Sequence, residues 1–199
     1  MQNNNGMRVS PLAHQDWSQE VRAILATFSE PLSKLGLSGD ESEKDNLSPV
    51  LACLLRNPNL ANAFLPFGRY LLMESSLNDR YRELIILRAT WLWRCEYEWC
   101  HHSSTAITNG LITASERDTL CLDSLPDSWP EHEALLIQAV NELHSHSNIA
   151  QHTWESLLGH FSIRELLDVV FTVGGYVLSG FYMNVIGLPL KEGMQGFPD

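Results

Sequence analysis

The segment RYRELIILRATWLWRCEYEWCHH, residues 80–102, decides the fold. Its first part follows Asn78-Asp79, a pair that favours the start of a helix, and carries apolar residues on nearly every helical face. A helix that is apolar all round is typical of the centre of a protein. Two cysteines, two glutamates and two histidines stand in residues 93–102. The segment therefore predicts a central helix that leads directly into a chemically active turn.

The rest of the chain also shows helical spacing rather than the alternation of strands. Helical stripes or helix-start signals recur in residues 16–28, 48–56, 59–73, 130–146 and 151–161. The tetrapeptides TASE, from Thr113, and SIRE, from Ser162, are capping boxes. Residues 30–46 are rich in Pro, Gly, Ser and charge, which predicts a loop. The sequence predicts an all-α architecture of about eight helices.

The composition limits the class of partner and the compartment. A chain of 199 residues with 44% hydrophobic residues can form one core, so we predict a flexible N-terminal tail at 1–16 and a single domain at 17–199. The net charge of −11 would repel nucleic acid. The four cysteines are too sparse for a disulfide scaffold, and the N-terminus lacks the apolar stretch of a secretory signal, which favours the cytoplasm.

The segment 169–190 has no charged residue and is long enough to cross a bilayer, which takes about 20 residues. It also holds Gly174, Gly175, Gly180 and Asn184. These interruptions favour a buried helix, packed against another subunit, over a membrane span. We therefore predict no membrane contact.

The cluster at residues 93–102 permits several chemistries. Glu98 and His102 are four residues apart and share a helix face, as two metal ligands would, but no second Cys/His pair at zinc spacing occurs. We predict no metal and no cofactor. Cys95 and Cys100 are five apart, so a helix directs them to different faces and a disulfide between them is excluded.

A thiol or acid–base site uses the same residues differently. Cys95 stands at the predicted start of a helix, where free N–H groups lower a thiol pKa. Glu98 and His102 follow on roughly the same side, and His102 is a candidate general base or proton relay. The alternative is a buried polar patch that only joins two helices.

The pattern RYRELIILRATWL, EYEW, a following His, and GLITASERDTL resembles the carboxymuconolactone decarboxylase family, which includes alkylhydroperoxidase D. The resemblance covers roughly residues 60–189 and is strongest at 80–120; GLPLKEG, from Gly187, resembles the C-terminus of the variant that carries EYEW. It implies an alkylhydroperoxidase D-like helical bundle that assembles as a homo-oligomer, a trimer or hexamer.

The thiol-peroxidase branch of that family has a glutamate, a CxxC pair and a histidine. The resemblance places the glutamate on Glu83, the first cysteine on Cys95 and the histidine on His102. The second, attacking cysteine falls on Glu98, so a two-cysteine cycle is unavailable at this site. We predict Glu83, Cys95, Glu98 and His102 as the catalytic residues.

Three functions follow from this departure. The first is a carboxymuconolactone decarboxylase-like enzyme that uses Glu83, Glu98 and His102 for proton transfer on a small molecule, in decarboxylation, lactone or enol chemistry. The second is an alkylhydroperoxidase-like thiol enzyme that uses Cys95 alone. The third is a non-catalytic helical oligomer that binds a ligand.

Overall fold

The computed structural model describes residues 6–28, 47–190, 193–194 and 196–198. These residues contain nine α-helices and no strand, which confirms the predicted all-α class. The helices are α1 (Gln19–Thr27), α2 (Pro49–Leu54), α3 (Pro58–Arg69), α4 (Asp79–Leu92), α5 (Glu96–Thr108), α6 (Ala114–Thr119), α7 (Glu131–His146), α8 (Gln151–Leu158) and α9 (Ile163–Ile186). The loop predicted at 30–46 lies outside the described residues.

The chain forms two compact units. The first comprises the described residues of Met1–Glu74 together with Val185–Pro189, and the second those of Ser75–Asn184 and Leu190–Asp199. The predicted tail up to residue 16 and the single domain at 17–199 stay predictions.

In the first unit, local signals set the helix starts. Ser48 accepts a hydrogen bond from Leu51 N–H and Pro49 occupies the first position of α2, as the sequence predicts. Residues 8–12 are joined to this unit by hydrogen bonds, because Arg8 N–H donates to Ile186 O at 2.8 Å and Leu12 N–H donates to Ala52 O at 3.0 Å.

The helix predicted at 59–73 divides into two parts. The α-helical part ends at Arg69, and Tyr70–Glu74 follow as one turn of π-helix. A π-turn widens the helix by one residue and is a local change that helical periodicity does not reveal.

The second unit is built around α4, as its apolar sequence predicts. Leu84, Ile85, Ile86 and Leu87 are completely buried, so every face of this stretch is covered. One side of α4 packs into a hydrophobic cluster with residues of α7, α8 and α9. The other side packs into a second cluster with α5, Leu120 and Ile137. The central position of α4 brings its polar residue Glu83 into the interior.

The long helix α9 begins with the predicted capping box, since Ser162 N–H and Oγ–H donate to Glu165 Oε2 at 2.8 and 2.7 Å. Within the single chain it is buried on one face, and the predicted packing of its other face against another subunit stays a prediction. Leu166, Val169 and Val173 lie in the core, whereas the apolar residues exposed on the other face are Leu167, Phe171, Leu178 and Phe181. Among the described residues, α9 is the one helix long and apolar enough to cross a membrane, and half of its most apolar stretch is buried.

Candidate active site

A tight turn between α4 and α5 places the candidate residues. Arg94 adopts the left-handed conformation, with φ of 56°, and Cys95 N–H donates to Thr90 O at 2.8 Å. The side-chain amide of Asn184 donates to Arg94 O at 2.9 Å, and the Arg94 guanidinium lies 4.6 Å from the centre of the Trp91 ring. This turn folds α5 back along α4, so residues in the second turn of α5 face the middle of α4.

The imidazole of His102 lies between two buried carboxyl groups. Its Nδ1 is 2.8 Å from Glu83 Oε2, and its Nε2 is 3.5 Å from Glu98 Oε2. Glu83, Glu98 and His102 are 4, 7 and 7% exposed. The structure therefore brings together three of the four residues predicted from sequence, with one carboxylate oxygen facing each ring nitrogen.

Burial and neighbouring charges displace the pKa values of this set. Burial raises the pKa of Glu98, the charge of His102 partly opposes that shift, and the charge of Glu83 adds to it. Burial by itself would lower the pKa of His102, but the charge and hydrogen bond of Glu83 and the charge of Glu98 outweigh it, so that pKa is raised. Glu98 is thereby suited to carry a proton and His102 to exchange one.

Cys95 occupies the N-cap position of α5, as predicted, but its chemistry differs from the prediction. The residue is 1% exposed, and its thiol lies in a long contact of 3.6 Å with Trp93 O. Burial, with a contribution from the charge of Glu98, raises the Cys95 pKa to about 11. The cost of burying a thiolate exceeds the help of the helix N-terminus.

Helix α9 covers the Cys95 thiol. A Cβ atom added at Gly180 would overlap Sγ and Cβ of Cys95, so the α9 backbone approaches α5 as closely as glycine permits. Cys100 lies in the hydrophobic cluster around Trp99, and the four cysteines are free thiols. Trp93 packs on His144 with ring centres 4.6 Å apart, and thus belongs to the core.

Tyr176 is a site residue that sequence reasoning missed. Its ring lies edge-on to the His102 ring, with centres 4.9 Å apart and an interplanar angle of 84°, and it is 6% exposed. The residue stands in α9, far along the chain from α5, and no motif or spacing connects the two. Its position follows only from the packing of α9 on α5.

The fold and the site define an all-helical protein with a buried carboxyl–imidazole–carboxyl cluster. Residues 58–128 match the model of the carboxymuconolactone decarboxylase family. The match contains Glu83, Cys95, Glu98 and His102. No curated protein is a significant match to the chain.

Solved structures share the fold. The alkylhydroperoxidase AhpD core, an uncharacterized peroxidase-related protein from Ralstonia eutropha JMP134, is 17% identical with a TM-score of 0.70, covering 92% of this chain and 94% of that one. An uncharacterized peroxidase-related protein from Silicibacter sp. TM1040 is 15% identical with a TM-score of 0.69, covering 98% and 96%. The debrominase Bmp8, a cysteine variant in complex with 2,3,4-tribromopyrrole, is 14% identical with a TM-score of 0.73, covering 96% and 95%.

Proposed function

We propose that the chain is a carboxymuconolactone decarboxylase-like enzyme that moves protons on a small carbonyl compound, with Glu98 as general acid. The observation that supports this most is the His102 imidazole held between two buried carboxyls at 2.8 and 3.5 Å. Burial raises the Glu98 pKa, so this carboxyl keeps a transferable proton at higher pH than an exposed one would.

The substrate class that fits is an unsaturated lactone that carries a carboxylate, or a β-keto acid. The C–C bond to the carboxylate breaks, CO₂ leaves, and the electron pair enters the conjugated system, so negative charge develops on the carbonyl oxygen. Protonated Glu98 then delivers its proton to carbon. His102 returns a proton to Glu98 and regains one from solvent water, while Glu83 holds the imidazole through Nδ1.

The test is CO₂ release from a panel of unsaturated γ-lactone carboxylates and β-keto acids. We expect Glu98→Gln and His102→Ala each to lower kcat by about 10² to 10⁴-fold, the range of general acid–base catalysis. Glu155→Gln is the matched control, because Glu155 is an exposed carboxylate on α8 that accepts a hydrogen bond from Gln151 of the same helix. Retention of full turnover in both site variants would refute the proposal.

A thiol enzyme that uses Cys95 alone is the less supported alternative, because the Cys95 pKa is raised to about 11 and the residue is 1% exposed. We expect iodoacetamide to label Cys95 more slowly than the partly exposed Cys121, read by mass spectrometry of the native protein. Faster labelling of Cys95, or sulfenic acid on it after peroxide, would restore the thiol mechanism. Four free thiols fit the cytoplasm, which is our proposed compartment.

We also propose that the protein is a homo-oligomer, a trimer or hexamer, that covers the apolar face of α9. Leu167, Leu178 and Phe181 on this face are 51, 53 and 50% exposed and lie on one helical stripe. Light scattering should give a multiple of the monomer mass, and Phe181→Glu should reduce it. A monomeric wild-type protein would contradict the proposal, and a ligand bound without turnover would favour the non-catalytic oligomer.

A further inference from the structure

We propose that Tyr176 is a catalytic residue whose phenolic hydroxyl donates a hydrogen bond to the substrate's carbonyl oxygen, where negative charge develops. The inference rests on the proposed function and adds a residue to it. It assigns the oxygen-binding side of the site to α9, whereas the proton-carrying side belongs to α4 and α5.

The first support is position. Thr172, Tyr176 and Gly180 follow one another at intervals of four residues and share one face of α9. Gly180 meets Cys95 at the start of α5, and the Tyr176 ring meets His102 about two turns further along it. This face of α9 therefore forms a third wall beside the carboxyl–imidazole–carboxyl cluster.

The second support is a hydroxyl without a protein partner. Tyr176 is 94% buried, and within the part of the chain that the structure describes no group accepts or donates a hydrogen bond at its Oη. Leaving a buried hydroxyl unpaired costs stability, and phenylalanine would fill the same space without that cost. A hydroxyl kept beside a proton-transfer cluster points to a ligand that pairs with it.

The third support is charge. Burial, with the charges of Glu98 and Glu83, raises the Tyr176 pKa well above its usual value, so the phenol stays protonated and remains a donor. The positive charge of Arg82 lies close enough to lower the pKa of both Tyr176 and His102. Arg82 also keeps a buried Nε–H that pairs with no other described residue, and its Nη2 donates to Asp79. A neutral donor with a cation nearby suits an oxygen that becomes anionic.

The hydroxyl acts without transferring its proton. As the carboxylate leaves as CO₂, the electron pair reaches the conjugated carbonyl, and the O–H of Tyr176 stabilises the enolate-type oxygen. The same hydrogen bond is weaker to the uncharged carbonyl of the ground state, so it lowers the barrier more than it favours binding.

Turnover of the panel by Tyr176→Phe is the first test. We expect kcat to fall by about 10²-fold or more, as for loss of one oxyanion donor, with a smaller change in KM. Tyr81→Phe is the matched control, because Tyr81 also contacts a histidine edge-on, His132 at 5.6 Å, in a different part of the unit. An unchanged melting temperature shows that both variants fold.

Binding without turnover is the second test, with γ-butyrolactone-γ-carboxylate, a saturated lactone that cannot accept the electron pair, as the probe. The infrared carbonyl band of the bound probe should move to lower wavenumber in wild type and Tyr81→Phe, and return in Tyr176→Phe. The infrared band tests the hydrogen bond from Tyr176, and turnover by wild type tests the proposed decarboxylation. Normal kcat in Tyr176→Phe with an inactive Glu98→Gln overturns only the role of Tyr176.

Two other outcomes remain distinct. If wild type turns over no member of the panel but the band shift is present and depends on Tyr176, the hydroxyl's contact stands and the proposed function falls. Absence of both turnover and band shift overturns both.

Discussion

Two clusters of charged groups lie in the same compact unit, and glutamate side chains have opposite roles in them. The cluster around Arg80 is partly exposed, whereas the cluster around His102 is buried. Around Arg80, the guanidinium donates to Glu133 at 2.7 and 2.8 Å, to Glu116 at 2.6 Å and to Leu111 O at 2.7 Å. The Arg80 hydrogen bond holds the Glu116 pKa at about 2. Around His102 no guanidinium pairs with the carboxyls among the described residues, and burial raises the Glu98 pKa.

The difference shows what separates a structural ion pair from a proton-carrying site. The Arg80 group has a fixed cation that pairs with both carboxylates, and its hydrogen bond favours the charged form of Glu116. In the site, the cation exists only while His102 is protonated, and the carboxyls compete for it. The Arg80 group is thus held by its ion pairs, and the site by the packing of α9 on α5.

The largest expected effect concerns the Arg80 group. Glu133→Gln should lower the free energy of unfolding by about 3 kcal/mol, because it breaks a bidentate ion pair whose carboxylate is buried. Urea unfolding at pH 7 measures this. Glu98→Gln should leave stability unchanged or raised, since it removes a carboxyl that burial disfavours. Equal losses in the two variants would contradict the distinction.

A smaller effect concerns the packing that holds the site. Gly180→Ala should cost about 1–3 kcal/mol, because the new methyl group would overlap Cys95. Gly174→Ala, on the same helix, is the control, since its Cβ would meet no described atom within 4 Å. It should stabilise the helix by up to about 1 kcal/mol. Thermal unfolding compares the two variants. Similar melting temperatures would show that the Cys95 side chain can move away from the new methyl group at little cost.

The smallest effect is the pH dependence of stability. The Glu116 pKa falls from 4.5 to about 2 on folding, so its contribution is present above pH 4.5 and is lost as the pH falls towards 2. Glu116→Gln keeps the capping side chain but should lose about 1 kcal/mol at pH 7, because the group is partly exposed.

The contribution of the site to stability should change with pH in the opposite direction to that of Glu116. The folded-state pKa of His102 is raised above 6.5, so its contribution is complete below pH 6.5 and is lost as the pH rises through the raised value. His102→Gln should therefore lose more stability at pH 5.5 than at pH 9, in urea titrations at both values. A variant whose loss grows with pH would reverse our assignment of charge.

Local sequence signals predict most of the helices and the central position of α4. Ser48, Asn78 and the capping boxes at Thr113 and Ser162 mark helix starts where the structure has them. The apolar sequence of α4 predicts its central position, and the resemblance brings Glu83, Glu98 and His102 to one place. These features depend on residues close in sequence or on a pattern with fixed spacing.

The remaining features depend on packing between helices that are far apart in the sequence, which local signals do not reveal. Tyr176 and Gly180 reach the site only because α9 folds onto α5, and the pairing of Arg80 with Glu133 joins α4 to α7. The Cys95 pKa is raised where the helix N-terminus predicted a lowered one, because the helix start is visible in sequence and the burial is not. Its catalytic role stays a prediction. The half-exposed α9 likewise depends on which face its neighbours cover.

The two-sided contact of His102 has a consequence for how the site titrates. Since the charges of Glu98 and His102 act on each other, a proton bound by one of them changes the proton affinity of the other. The limbs of a bell-shaped pH–rate profile would then report macroscopic steps of this coupled pair rather than of single residues. Replacing one member of the pair would displace both limbs of the profile together. The coupled residues therefore act as a single acid–base group with several protonation states.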